Sequence, residues 1–418
     1  MKNIFINPIR ILLIIILYLI TASTALVGRA QSVAVPYEIG TWEGFRPAAI
    51  SYTFDDNLPN QYALAVPMFH TNGLKMTLNT VISYWTTFTW SMAQTAASYG
   101  DEIASHTVSH NSLGGMGTSQ QRTELASSQS TINTRVTNQL CVTLAYPNCS
   151  VGTESLVAQY YIGARICDGQ LALSTPSDFM QISAIILGSY GSYTTAASIN
   201  DLADNAVTQQ KWCVYLIHAL DGDSGFSPLS SSVLQASVNY MCTNQNKFWV
   251  ETFGNVVRYI KERNASSVAE TANTGSSITV QVTNNLNNAI FNYPITIRRP
   301  MPTNWPAAAV TQNNKPVSVQ TVVSDSTTYV MFDVVPNGGN VVLSETASAP
   351  VLGNPVLTLP NSLTLGLGGQ SNANYAIYGS TDLLNWLPVQ TNAMAGTYTN
   401  FTITTSNSMQ FYRAQWVP

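Results

Sequence analysis

Ala48-Ala49-Ile50-Ser51-Tyr52-Thr53-Phe54 reads as a buried strand, and Asp55-Asp56-Asn57-Leu58-Pro59 is a plausible stop for it. Downstream, Gln120 to Val136 is polar and free of Pro and Gly, which predicts a helix with Leu125 turned inward. Trp212-Cys213-Val214-Tyr215-Leu216-Ile217 is a second strand, and Asn255 to Arg263 predicts a closing helix. Strands alternating with helices between about Val35 and Asn264 imply parallel pairing in an α/β layer architecture.

The 418 residues exceed what one compact core usually serves, so two or three domains are expected. Hydrophobic residues make up 45% and charged ones only 9%, against about 25% charged in an average globular protein. The polar surface therefore rests on Ser, Thr, Asn and Gln. A net charge of −4 carries no basic footprint for nucleic acid and suits a neutral ligand such as a glycan.

At the N-terminus, Lys2 and Arg10 precede the apolar run Ile11 to Ile20, and small residues follow in Ala22-Ser23-Thr24-Ala25 and Gly28-Arg29-Ala30. This is the layout of a secretory signal over residues 1–30. The competing reading, an uncleaved anchor, asks for about 20 apolar residues. Export to a periplasmic, extracellular or cell-surface location is expected, with no stable membrane insertion after cleavage. Disulfides are then permissible, and five cysteines leave at least one unpaired within the chain.

After Asn264 the texture changes. Ala265 to Ser277 reads as a linker. Ile278-Val282, Tyr293-Ile297, Val317-Val323, Tyr329-Val335 and Asn340-Ser344 then alternate as short strands, with turns at Asn313-Asn314 and Asn337-Gly338-Gly339. A β-sandwich over 277–347 and a further β module over 351–418 are expected, each folding separately from the α/β region at 36–264. The aromatic residues of Tyr375 to Trp386 and Phe411-Tyr412 suit core packing better than a sugar platform.

Of four histidines, His70 lies among Met68, Phe69 and Leu74 and reads as packing or capping. The other three fall where strands end or polar loops begin. Adjacent side chains on a strand face opposite ways, so Asp55 and Asp56 share one site only if the strand stops there. In Ser105-His106-Thr107-Val108-Ser109-His110, the two histidines lie on one face of a helical turn and reach one metal. Two His and one carboxylate form a recurrent catalytic zinc set.

The order of Phe54-Asp55-Asp56, Ser105 to His110, Leu144-Ala145-Tyr146-Pro147 and Leu216-Ile217-His218 resembles the polysaccharide deacetylase family, named for its nodulation-protein homology domain. The resemblance covers about residues 45 to 263. It implies a distorted, incomplete (β/α) barrel at 36–264, with its site at the C-terminal strand ends. It implies metal ligands at Asp56, His106 and His110, zinc being the expected divalent ion. Asp55 takes the part of general base toward the attacking water, and His218 of general acid for the leaving group. The oxyanion donor falls at the Asn148 backbone N–H, beside Tyr146 and Pro147. The reaction implied is removal of acetyl groups, N-acetyl ahead of O-acetyl, from an acetylated extracellular glycan.

Two departures stand out. Much of the family has an arginine at the position of Ala145, which places this chain with an Ala-Tyr-Pro bacterial subgroup. Arg165 is the basic residue available to hold Asp55 instead. The acid that orients the catalytic histidine is blurred, with Asp168 and Asp178 both candidates. The alternative is a glycan-binding or cell-surface protein with an inactive barrel; a metal-free glycosidase lacks a second placed acid. Asp221-Gly222-Asp223-Ser224-Gly225 starts like a calcium loop, but Ser232 holds the twelfth position, so a polar rim loop is expected. Cys141–Cys149 and Cys213–Cys242 are the candidate disulfides, with Cys167 free; spacing leaves the connectivity open.

Overall fold

A computed structural model describes residues 33–85, 87–347, 349–358, 361–404 and 410–417. The expected signal at 1–30 lies outside them. Among the described residues no helix is long and apolar enough to cross a membrane.

The chain begins with a short strand, β1 (Glu38–Ile39). There follow β2 (Ala48–Asp55), β3 (Thr77–Thr80), β4 (Glu102–Ser105), β5 (Thr143–Ala145), β6 (Gly163–Arg165), β7 (Ile185–Ile186), β8 (Trp212–Ile217) and β9 (Phe248–Val250). These eight form one parallel sheet in the order β6-β5-β4-β3-β2-β8-β7, with β9 on the N-terminal end of β2. Helices such as Thr118–Arg135, Ala196–Gln209 and Ser231–Thr243 supply the crossovers, and Phe253–Ala265 closes the region. The sheet curls, and a parallel bridge between Arg165 and Ile182 ties one edge to the segment entering β7. The fold is thus α/β, a distorted and incomplete barrel followed by all-β modules.

Period-two alternation sorts the strand residues. On β2, Ile50, Tyr52 and Phe54 pack outward under the helices. The intervening residues face inward: Ser51 Oγ donates to Glu251 O at 2.7 Å and Thr53 Oγ1 to Tyr215 O at 2.7 Å. Asp55 carries the same parity and therefore tops the barrel interior. Likewise Cys213, Tyr215 and Ile217 of β8 pack outward while Trp212, Val214 and Leu216 face in. His218 follows on the inward register. Burial of both faces explains why these strands read as continuous apolar runs.

The segment expected as a linker is the end of the last barrel helix followed by β10 (Ser267–Asn273). Next come β11 (Ser277–Thr283), β12 (Ile295–Pro300), β13 (Ala307–Gln312), β14 (Lys315–Val317), β15 (Val319–Ser324), β16 (Thr327–Val334) and β17 (Val341–Thr346). They form two antiparallel sheets, β1-β12-β16-β15 and β10-β11-β17-β13-β14. Asn313 and Asn314, at φ 49° and 60°, make the tight turn between β13 and β14. Strand β1, from the front of the barrel region, belongs to the sandwich, with Glu38 opposite Arg298. One apolar cluster runs through both units, joining Trp42, Trp249, Val257 and Ile260 to Val280, Ile297, Phe332 and Leu343. The expectation of separate folding meets this shared core. The last module, β18 (Val351–Thr358), β19 (Ser362–Gly368), β20 (Asn374–Ser380), β21 (Leu387–Ala393), β22 (Tyr398–Thr404) and β23 (Phe411–Val417), has its own core around Leu367, Tyr375 and Ile377.

Truncation separates these cases. Ending the chain after residue 346 should leave the barrel's melting temperature nearly unchanged. Ending it after residue 265 strips the cover from residues such as Val257 and Ile260, each worth about 1.5–3 kcal/mol when buried. That shorter chain should lose its cooperative transition in calorimetry; an undiminished transition would show the barrel to be self-sufficient.

Candidate active site

The inward parity of the strands converges at their C-terminal ends. A pocket of about 350 Å³ there is lined by Asp55, Asp56, His106, His110, Tyr146, Asn148, Arg165 and His218, with Ile186, Leu216, Tyr190 and Phe226 on its apolar side. Asp55 is the last residue of β2. Asp56 adopts φ 79° and Asn57 φ 57°, so the chain swings sharply as the strand stops. Such left-handed non-glycine residues cost about 1–3 kcal/mol each. The turn is held by Asn57, whose amide donates to Val81 O at 3.0 Å and whose carbonyl accepts from Val81 N at 3.0 Å. This geometry brings two sequence-adjacent carboxylates into one pocket.

Asp55 is 3% exposed, so an unpaired charge there is excluded. The Arg165 guanidinium Nη2 donates to Asp55 Oδ1 at 2.6 Å and also reaches Oδ2. Asn79, on β3, adds a donation to Oδ1 at 2.8 Å. Burial pushes this carboxyl upward, but Arg165, His106, His218 and Asn79 together hold it well below the usual carboxylate range. Arg165 is the register partner of Ala145 on the neighbouring strand, both with inward parity. A small residue at 145 and a guanidinium at 165 thus supply one charge from the adjacent strand.

His106 Nδ1 donates to the Ala145 carbonyl at 2.8 Å, which leaves Nε2 with its lone pair directed into the pocket. Burial lowers the imidazole to about 4, so it is neutral near pH 7. The stretch to His110 is not helical. Thr107 and His110 have φ of 67° and 60°. Glu124, from the helix Thr118–Arg135, accepts from the backbone N–H of Val108 and Ser109 at 2.8 and 2.9 Å. The i, i+4 spacing therefore works through a carboxylate-braced loop, not one face of a helical turn. His110 Nε2 lies 3.2 Å and His106 Nε2 3.6 Å from Asp56 Oδ1, which makes no hydrogen bond. One ligand atom from each of Asp56, His106 and His110 lies within 4.8 Å of the others. Burial first, and the neighbouring Asp55 charge second, push Asp56 up to about 6. A carboxylate crowded by another carboxylate and facing two imidazole lone pairs fits a divalent cation.

His218 Nε2 sits 3.9 Å from Asp55 Oδ2 and 4.0 Å from Asp56 Oδ2. Burial lowers its pKa, against the pull of both carboxylates. Its Nδ1 is buried with no hydrogen-bond partner among the described residues, so none of their acids orients it through that atom. The expectation for Asp168 is corrected: it is exposed, outside the pocket, and accepts from Ser183 Oγ. Asp178 instead accepts from the Met180 N–H. His218 is steadied by the Phe226 ring, edge-on at 5.0 Å, and by Gln61 Nε2 donating to its backbone carbonyl at 3.0 Å.

After β5, Pro147–Cys149 forms a single 3-10 turn with Asn148 at φ 53°. Pro147 is buried beneath the pocket rim, and the Tyr146 hydroxyl has no hydrogen-bond partner. The N–H groups of Cys149 and Ser150 bond the carbonyls of Tyr146 and Pro147 at 3.1 Å. Cys149 pairs with Cys167 as a disulfide, correcting both expected pairs; Cys141, Cys213 and Cys242 are free. His70 stacks on Tyr99 at 3.7 Å, away from the site. Asp223 accepts from Asn60 N at 3.1 Å and Asp221 from Ser231 N at 2.8 Å, so both acids brace the rim loop. Sequence reasoning missed Asn79, Gln61 and Glu124. A polar Asn in the otherwise buried β3 is the one signal that marked any of them.

Residues 44–166 match the family model described as polysaccharide deacetylase. A gellan lyase from Bacillus sp is 28% identical over 345 residues, covering 75% of this chain and 13% of that protein, so the chain spans a small part of that relative. Among solved structures, a putative polysaccharide deacetylase from Mycobacterium smegmatis aligns with a TM-score of 0.42 and 15% identity, over 59% of this chain and 99% of that one. A family 4 acetyl xylan esterase from Clostridium thermocellum, in complex with cobalt, aligns with a TM-score of 0.37 and 16% identity, over 50% and 89% of the two chains. Over residues 44–166, the segment that carries Asp55, Asp56, His106 and His110, the chain is thus similar to the polysaccharide deacetylase family.

Proposed function

We propose that this protein is an exported, metal-dependent deacetylase acting on a polysaccharide, with N-acetyl groups preferred over O-acetyl. The observation that carries this reading is the division of labour between two adjacent aspartates. Arg165 and Asn79 occupy Asp55, while Asp56 faces His106 and His110 without a hydrogen bond at Oδ1. One is committed to charge; the other is open to a ligand. Asp56, His106 and His110 would hold a divalent cation, zinc foremost, which would supply Lewis-acid polarisation of the acetyl carbonyl and ease the ionisation of water.

The chain's own groups do the rest. Asp55, kept ionised by Arg165, accepts the proton of the attacking water at a carboxylate oxygen. The Asn148 N–H, on a turn whose next two N–H groups are already bonded, is the donor for the developing oxyanion. His218 delivers a proton from Nε2 to the departing nitrogen or oxygen. Leu216 and Ile186 give the acetyl methyl an apolar wall. At the rim, Tyr190 is 71% exposed, its ring tilted 50° against Phe226 at 4.8 Å, and its open ring face is suited to a sugar ring. The segment shared with a protein named gellan lyase supports a glycan as the target.

Asp55→Asn should keep its metal while turnover falls roughly 10²–10⁴-fold, the usual worth of a positioned general base. Asp56→Asn should lose metal affinity first and regain part of its activity in excess zinc or cobalt. Acetate release and metal content, measured together, decide the matter; the reverse pattern would exchange the two roles. Tyr190→Ala should raise KM severalfold on an acetylated glycan and leave kcat nearly unchanged. A fall in kcat alone would remove Tyr190 from substrate binding.

A further inference from the structure

The disulfide between Cys149 and Cys167 joins two pieces of the site that no hydrogen-bonded strand pair connects at that height. Cys149 closes the turn that carries the Asn148 N–H, and Cys167 lies two residues past Arg165. Both sulfur-bearing residues line the pocket beside Arg165. The register of the parent strands, Ala145 opposite Arg165, brings the two loops out side by side, with a Cα–Cα separation of 5.8 Å.

Two observations show what this bridge must hold. Asn148 and Cys149 are consecutive non-glycine residues in the left-handed region, at φ 53° and 55°. That conformation is unfavourable for L-residues and persists only where its surroundings over-determine it. The turn itself closes on two short-range backbone bonds, with Asn148 Nδ2 donating to Ser112 Oγ at 3.2 Å and to His110 O at 3.5 Å, and Ser150 Oγ accepting from Gly114 N at 3.2 Å. At its base Tyr146 N donates to Arg165 O at 3.1 Å, one residue short of the left-handed pair. On the other side, Arg165 is tethered at Nη2 alone, for its buried Nε has no hydrogen-bond partner. A guanidinium normally fixed by several donors here depends on the placement of its backbone.

Resting on the deacetylase reading above, we propose that the Cys149–Cys167 disulfide is a positioning element of the reaction. It clamps the oxyanion-donor turn to the strand end that aims Arg165 at Asp55. Its loss relaxes the turn and lets the ion pair drift, and misplacement of about 1 Å costs on the order of 10²-fold in rate.

The test compares the full chain with the paired Cys149→Ser, Cys167→Ser variant on one acetylated glycan. The expected result is a kcat lowered roughly 10–10²-fold with KM within about twofold and metal content unchanged. A phosphine reductant is the second arm. It takes the bridge to two thiols, consuming one water and becoming its oxide, so no chelating thiol is added. The wild type should lose activity to the level of the variant and regain it on reoxidation, and the variant should be indifferent. Unchanged kcat in both arms overturns the proposal. So does a parallel loss of kcat, metal and thermal transition, which would make the bridge a general staple. A wild type that releases no acetate from any acetylated glycan sinks the deacetylase reading itself, a separate outcome.

Discussion

A buried carboxylate needs a buried cation, and the Arg165–Asp55 pair meets that requirement at the mouth of the barrel. Removing either partner leaves a charge stranded in a site that is almost fully closed to water. Everything catalytic is arranged about this pair. With Asp55 held in its ionised form, Asp56 is the carboxylate crowded by a like charge and set beside His106 and His110. Asn79, His106 and His218 all approach Asp55 from strands neighbouring β2 or reached across β3. Arg165 reaches both Asp55 oxygens, and the further donation from Asn79 to Oδ1 leaves Oδ2 the less occupied of the two.

Parity supplies the reason why these residues meet. Asp55, Asn79, His106, Arg165 and His218 each sit two residues on from an inward-facing neighbour at the end of a parallel strand. A slip of one residue in any strand would send its functional side chain under the helices. The apolar outward positions, Phe54, Leu78, Ile103, Leu144, Ala164 and Ile217, therefore protect the register as much as the fold. Packing and chemistry are carried by alternate residues of the same short segments.

This alternation explains how much was legible in sequence. The strands Ala48–Phe54 and Trp212–Ile217 announce themselves by apolar runs, and Asp55-Asp56, His106, His110 and His218 by residue type and order. Arg165 was legible as a replacement for a missing charge because so few basic residues are available. Glu124 and Gln61 were not, since their roles arise from contacts across the fold and their residue types are ordinary at those positions; Asn79 left only the faint mark of an amide within a short strand. The disulfide was misassigned for the same reason: Cys149 and Cys167 become neighbours only once β5 and β6 are paired. The Ala-rich β13 and the polar β10 escaped notice because each has only two β-branched residues among Ala and polar ones, and pairing with β17 and β11 overrides that weak preference.

Strand β1 has a consequence for the order in which the molecule is assembled. Glu38, close to the start of the described chain, bonds Arg298 at a sequence separation of 260. During synthesis the first strand has no partner until β12 has been made, long after every barrel strand is available. The parallel sheet, itself built from non-local pairs, must wait with part of its underside uncovered. A nascent chain of this kind is exposed to wrong partners for most of its elongation. The sparse, uncharged polar surface adds little electrostatic repulsion to keep such intermediates apart. The barrel and the sandwich thus draw their cohesion from a closure made late, in which β1 is sewn to β12 across most of the chain between them.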